Sequence, residues 1–142
     1  MVNRQISGMT GVYYVAAELS KLGYIALVTA RNTKAADIVA MNDETGLSAA
    51  IEVKTCGIST SDNFWLLDEK DCEKKPNNLV YVFVKLNKDK PHDFYVVPAH
   101  FVVENIKKDV AKTGSEWYYI EKEQITPFKE KWDLIQQITT RV

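Results

Sequence analysis

The chain has 142 residues, 46% of them hydrophobic and 26% charged, with 18 Lys and Arg against 19 Asp and Glu for a net charge of −1. These values fit one soluble globular domain, residues 1–142, able to build a core without a disulfide or a structural metal. Together with a pI near 6.1, they exclude a protein that coats nucleic acid through overall basicity, but not a local basic face or an acidic cluster neutralised by a cation.

Cys56 and Cys72 form no CxxC pair and lie away from His92 and His100, so both read as reduced, structural thiols. The N-terminal stretch has no basic segment followed by an apolar run and cleavage site, and no apolar run approaches about 18 residues. The expectation is a cytoplasmic protein with no membrane partner.

Val12, Val15, Ala16, Leu19 and Leu22 recur at helical spacing, with Thr10 as a candidate N-cap and Gly23 as a stop. Strand formers follow in "YIALVTA", Tyr24 to Ala30, and the polar run Arg31 to Lys34 separates them from a second strand at Asp37 to Asn42. A third strand covers Leu47 to Cys56. "GISTSDN" reads as a loop, and "FWLLDEKDCEKK" fits a short strand with a turn or a short helix equally well. "NNLVYVFVKLN", Asn77 to Asn87, is a strand, and the turn "KDKPHD" leads to a further strand, "FYVVP", ended by Pro98. "AHFVVENIKKDVAKTG" reads as a helix closed by Gly114, and Phe128, Trp132, Ile135 and Ile138 mark a last helix.

Chemistry concentrates in "ADIVAMNDETGLSAAIEVKT", Ala36 to Thr55, where charges interrupt two apolar strands. "DETG", Asp43 to Gly46, suits a four-residue hairpin loop because Gly46 accepts the left-handed conformation of its last position. Asn42 then pairs with Leu47, and counting outward sets Asp37 opposite Glu52. Facing carboxylates destabilise a sheet unless something compensates, and a divalent cation with hard oxygen ligands does so. Lys54 is two residues on and shares that face, while Ile51 and Val53 point into the core. A cation site beside an ammonium suits phosphodiester hydrolysis. The same "ExK" triplet also occurs in exposed strands as a plain solvated face, and a one-residue slip in the loop would set Val53 opposite Asp37.

The ordered series "GVYYVAAELSKLGY", "RNTKAADIVA", "IEVKTC", "LVYVFVKL" and "DFYVVPAH" resembles the PD-(D/E)XK nuclease superfamily, in particular its small bacterial members, over about Gly11 to His100. The resemblance implies an α/β fold with a restriction endonuclease-like α-β-β-β-α-β core, a mixed central sheet flanked by helices. It implies Mg²⁺ or Mn²⁺ held by Asp37, Glu52 and the backbone carbonyl of Val53, Lys54 as catalytic lysine, DNA as substrate and a homodimer as a working form. Many relatives carry a glutamate directly after the first glycine; Val12 stands there instead, in the apolar helix face. Glu18, at the rim of that face, is a candidate replacement ligand or a solvated helix residue. The proline before the aspartate is replaced by Ala36. The alternative function is a catalytically silent module on the same scaffold that binds a protein or nucleic acid.

Phe64 and Trp65 are read as core residues or as stacking groups for bases. Lys70, Lys74 and Lys75, interleaved with Asp68, Glu69, Asp71 and Glu73, read as solvated surface. Lys107, Lys108 and Lys112 fall on the expected helix after Pro98 and form either its outer face or phosphate contacts. His100 receives no role, and Trp117, Tyr118, Tyr119 and Trp132 read as core or partner surface.

Overall fold

A computed structural model describes residues 3–30, 36–60 and 63–140. The chain begins with helix α1, Arg4–Lys21, then strands β1, Ile25–Val28, β2, Ile38–Met41, and β3, Ser48–Cys56. Strand β4, Phe64–Leu67, and a one-turn 3-10 helix, Glu69–Cys72, precede β5, Leu79–Lys85, and β6, Asp93–Pro98. Helix α2, Ala99–Asn105, strands β7, Lys107–Val110, and β8, Glu116–Glu121, and helices α3, Lys122–Ile125, and α4, Asp133–Thr139, complete it. The polar run expected at Arg31 to Lys34 lies outside the described residues, as do two residues of the loop after β3. None of the described helices is long and apolar enough to cross a membrane.

A five-stranded mixed sheet, in the order β1-β2-β3-β5-β6, carries the fold, and a three-stranded sheet, β4-β8-β7, packs beside it. Strands β3 and β5 are parallel and the other neighbours in the large sheet antiparallel. A parallel pair needs a crossover. Here β4 and the 3-10 turn make it, so the helical element of the expected order between these strands shrinks to a single turn. Side-chain alternation then sorts the core into two layers. Ile51, Val53, Ile38 and Val82 join Val12, Val15, Leu19 and Ile135 on the face covered by α1 and α4. Tyr81, Phe83, Tyr95 and Val97 join Trp65, Leu67, Val102 and Ile120 on the other. Trp65 and Trp132 are therefore core residues, and so is Val12, 6% exposed.

Helix α1 starts earlier than the apolar spacing suggests. Asn3 is its N-cap, its side-chain oxygen accepting the Ile6 N–H at 2.9 Å, whereas the Thr10 hydroxyl donates back to the Ile6 carbonyl inside the helix. At the other end Gly23, with φ 97°, lets Tyr24 N–H reach the Leu19 carbonyl at 3.0 Å and closes the helix as expected.

Gly11 lets α1 approach the sheet closely at Thr55. A Cβ added there would lie 1.9 Å from Thr55 Oγ1, and that hydroxyl is buried without a hydrogen-bond partner among the described residues. Gly11→Ala is therefore expected to destabilise the protein by about 2 kcal/mol despite the better helix propensity of alanine. Adding Thr55→Ala should restore a good part of that loss. Urea denaturation of the two variants checks this, and an unchanged midpoint for Gly11→Ala would contradict the packing.

The helix expected from Ala99 to Gly114 is corrected. It stops at Asn105 because Ile106 turns extended, with φ −60° and ψ 135°, and packs against the second layer. Lys107 and Lys108 stand on β7, where they pair with Glu121 and Glu116 of β8. Gly114, with φ 88°, turns the β7–β8 hairpin instead of ending a helix. Phe128 likewise sits in a 3-10 turn, Thr126–Phe128, and not on the last helix. Trp117 stacks on Tyr119 with ring centroids 4.7 Å apart, beside Phe64, on the outer side of the small sheet.

Candidate active site

The β2–β3 hairpin has the register that its loop dictates. Asn42 N–H bonds the Leu47 carbonyl at 2.9 Å and Gly46 N–H bonds the Asn42 carbonyl at 2.8 Å, with Gly46 at φ 75°. The ladder runs from Met41–Ser48 to Ile38–Ile51. Asp37 comes next and leaves the regular pattern. Its N–H bonds the Ile51 carbonyl at 2.9 Å, and its carboxylate Oδ2 accepts the Val53 N–H at 2.8 Å. The side chain thus does what a backbone carbonyl does elsewhere in a ladder, which fixes it across β3; among the described residues its other oxygen, Oδ1, has no hydrogen-bond partner.

Because Ile38, Ile51 and Val53 belong to the α1 layer, alternation sends Asp37, Glu52 and Lys54 to the opposite face. Glu52 is 30% exposed and Lys54 18% exposed in their side chains, and Lys54 Nζ stands 3.8 Å from Glu52 Oε1. Burial, then the charge of Asp37, pushes the Glu52 carboxyl up to about 7, with Lys54 opposing them. The Glu52 carboxylate therefore senses the charge of Asp37.

Lys54 has a second, closer partner. Asp71 Oδ2 lies 3.3 Å from its Nζ, and the Asp71 side chain is only 6% exposed. Asp71 Oδ1 accepts the Tyr81 hydroxyl, and Oδ2 also accepts the Asp68 N–H at 2.7 Å. Tyr81 pairs with Glu52 across the parallel β3–β5 ladder, which brings its side chain to the same face. Burial pushes the Lys54 ammonium down, but Asp71 and Glu52 outweigh it and hold the group above its ordinary range. Burial likewise pushes the Asp71 carboxyl up, and Lys54, the Asp68 N–H and the Tyr81 hydroxyl together bring it below its ordinary value. Burial and Asp71 push the Tyr81 hydroxyl up, so it remains a donor.

Asp71 is the residue that the charge pattern of the sequence placed on the solvated surface, and the structure corrects this: it is 4% exposed. The signal in the sequence was the pair Asp68 and Asp71, three residues apart, a spacing that suits the start of a short helical turn. Its charged neighbours obscured it. Glu18 takes a different place: on α1, across the sheet from Glu52, it pairs with Lys21 at 3.2 Å. The fold thus gathers Asp37, Glu52 and Lys54, adds Asp71, and leaves Glu18 apart.

Among the described residues no group of three or more His, Cys, Asp and Glu side chains is placed to hold a metal ion. The available donors among the described residues are the second oxygen of Asp37, the Glu52 carboxylate and the backbone carbonyl of Val53. They suit a hard divalent cation, since burial and the Asp37 charge raise the cost of ionising Glu52 and a cation lowers it.

A leading helix, an antiparallel β1-β2-β3 unit and a parallel β3–β5 crossover, with acids and a lysine at the middle of the sheet, constitute the restriction endonuclease-like fold. Solved structures match it over most of the chain. The protein is similar to a bacterial homing endonuclease, I-Ssp6803I, with 20% identity and a TM-score of 0.61 over 96% of this chain and 94% of that one. It is also similar to Hjc, a Holliday junction resolvase from the archaeal hyperthermophile Archaeoglobus fulgidus, with 16% identity and a TM-score of 0.57 over 91% of this chain and 95% of that one. No family model matches the sequence, and no curated protein does.

Proposed function

We propose that the protein hydrolyses phosphodiester bonds in DNA at the Asp37, Glu52 and Lys54 site, with Mg²⁺ or Mn²⁺ as cofactor. The observation that carries this reading is three side chains on one sheet face: Asp37, anchored on the Val53 N–H at 2.8 Å, the Glu52 carboxylate, and the Lys54 ammonium 3.8 Å from Glu52. Asp37 and Glu52 would hold the cation, with the Val53 carbonyl beside them. When bound, the cation supplies electrophilic assistance to the phosphoryl group and acidifies water. Asp37 is kept in place by the Val53 N–H, so it needs no reorganisation on binding. Lys54 faces the negative charge that develops on the phosphate oxygens and, being cationic, stabilises it. DNA as substrate is favoured by the two neighbours, a homing endonuclease and a Holliday junction resolvase. A homodimer would give one site to each strand.

The test is incubation of the purified protein with linear, supercoiled and branched DNA in Mg²⁺ or Mn²⁺, alongside Asp37→Asn and Lys54→Ala. Cleavage is expected from the native protein, with a loss of about 100-fold or more in each variant. Equal cleavage by all three, or cleavage that survives chelation, would overturn the assignment.

Val12 favours a second reading, a non-enzymatic module that binds a protein or nucleic acid. It occupies the position of the helix glutamate of many relatives and is buried in the α1 layer, so this helix brings no carboxylate from that position. On that reading Asp37→Asn simply relieves repulsion with Glu52 and raises stability.

A further inference from the structure

Besides Glu52, Lys54 is held at 3.3 Å by a buried group that the proposed cleavage chemistry does not use. The one-turn helix Glu69–Cys72 carries Asp71 into the second layer, where its carboxylate meets the lysine, the Tyr81 hydroxyl and the Asp68 N–H. A carboxylate so buried is costly without partners, and each oxygen has at least one. We propose that Asp71, fixed by Tyr81, is a positioning residue that seats the Lys54 ammonium beside Glu52 and so aims it at the scissile phosphate; this rests on the nuclease reading of the site.

The geometry separates this role from that of a third metal ligand. Asp71 Oδ1 is taken by Tyr81 and Oδ2 by Asp68 and Lys54, so the carboxylate directs its charge at the lysine. Tyr81 is 1% exposed and stacks on Phe83 with ring centroids 5.8 Å apart, which makes it a rigid support. A lysine has four rotatable side-chain bonds and much rotamer freedom to lose, so a preset counterion lowers the cost of aiming it. The crossover between the two parallel strands, besides joining them, thereby delivers the anion that holds the lysine.

The experiment compares the native protein with Asp71→Asn and Tyr81→Phe, each checked by thermal melting. Side-chain proton–nitrogen spectra, with Lys54→Met to assign the signal, should show a slowly exchanging Lys54 ammonium in the native protein that vanishes in Asp71→Asn. In DNA cleavage, Asp71→Asn should lower kcat roughly 10–100-fold while KM stays within about twofold. Tyr81→Phe keeps the buried ring and should give a smaller fall in kcat of the same kind. Mn²⁺ affinity measured by calorimetry should be unchanged in both. An ammonium signal that persists in Asp71→Asn, an unchanged kcat, or a loss of Mn²⁺ binding would each overturn the proposal. If the native protein cleaves no DNA, the nuclease reading fails, and the ammonium signal still decides whether Asp71 seats Lys54.

Discussion

Lys54→Met is expected to lower the unfolding free energy by about 3 kcal/mol, because it strands a buried carboxylate. Asp71 keeps only 6% of its side chain exposed and relies on Lys54 at 3.3 Å. Its hydrogen bonds to Tyr81 and Asp68 remain in the variant but do not neutralise it. Either Asp71 keeps its charge without compensation or it takes up a proton, and both options weaken the folded state at neutral pH. The double variant Lys54→Met/Asp71→Asn removes both charges and should recover most of the loss, as replaced buried pairs often do. A double-mutant cycle in urea measures the coupling directly. Additive single effects would mean that the ion pair contributes little and that Asp71 is held by its neutral partners alone.

The second large effect is a pH dependence of stability centred on Glu52. Its carboxyl rises from 4.5 to about 7 on folding, chiefly through burial and then through Asp37. Below pH 4.5 the group is protonated in both states and imposes no penalty. Between 4.5 and 7 the unfolded chain has released the proton and the folded chain has not, so stability falls as pH rises. Above 7 the penalty is complete, about 3 kcal/mol. Asp71 and Asp93 act in the opposite sense, because their carboxyls are lowered. Their contributions are present above the ordinary carboxylate range and are lost only as the solution becomes more acidic than that. Glu52→Gln should therefore abolish the decline between pH 4.5 and 7 and be the more stable protein at about pH 8. Mn²⁺ should stabilise the native protein most at the alkaline end, where Glu52 is ionised, by preferential binding to the folded state. Denaturation midpoints across pH for the two proteins provide the check; parallel curves would contradict it.

The parts of this molecule legible from its sequence are those fixed by local rules. A four-residue loop ending in Gly46 sets the hairpin register without tertiary information, and register places Asp37 and Glu52 on one face because side chains alternate. The apolar spacing of Val12, Val15 and Leu19 identified the buried face of α1 for the same reason. What failed was decided by contacts distant in sequence. Ile106 ends α2 because it is drawn against the second layer, and Lys107 and Lys108 extend because β8 offers them a partner strand. Helical periodicity in "AHFVVENIKKDVAK" is present but is outweighed by that pairing. Asp71 sits in a run of eight residues, "DEKDCEKK", whose charges look uniform; the Asp68–Asp71 spacing hints at a turn, but its pairing is decided by Lys54 on β3 and Tyr81 on β5. Asn3 caps α1 three residues before Ile6, beyond the reach of the apolar pattern that pointed to Thr10.

Calorimetric titration of Mn²⁺ into the native protein, Asp37→Asn and Glu52→Gln, at a pH above the raised Glu52 value of about 7, addresses the cation site most directly. Saturable binding to the native protein is expected, and it should disappear in both variants while each stays folded. Absence of binding to the native protein up to millimolar Mn²⁺, or binding that neither substitution weakens, would contradict a cation held between these two carboxylates.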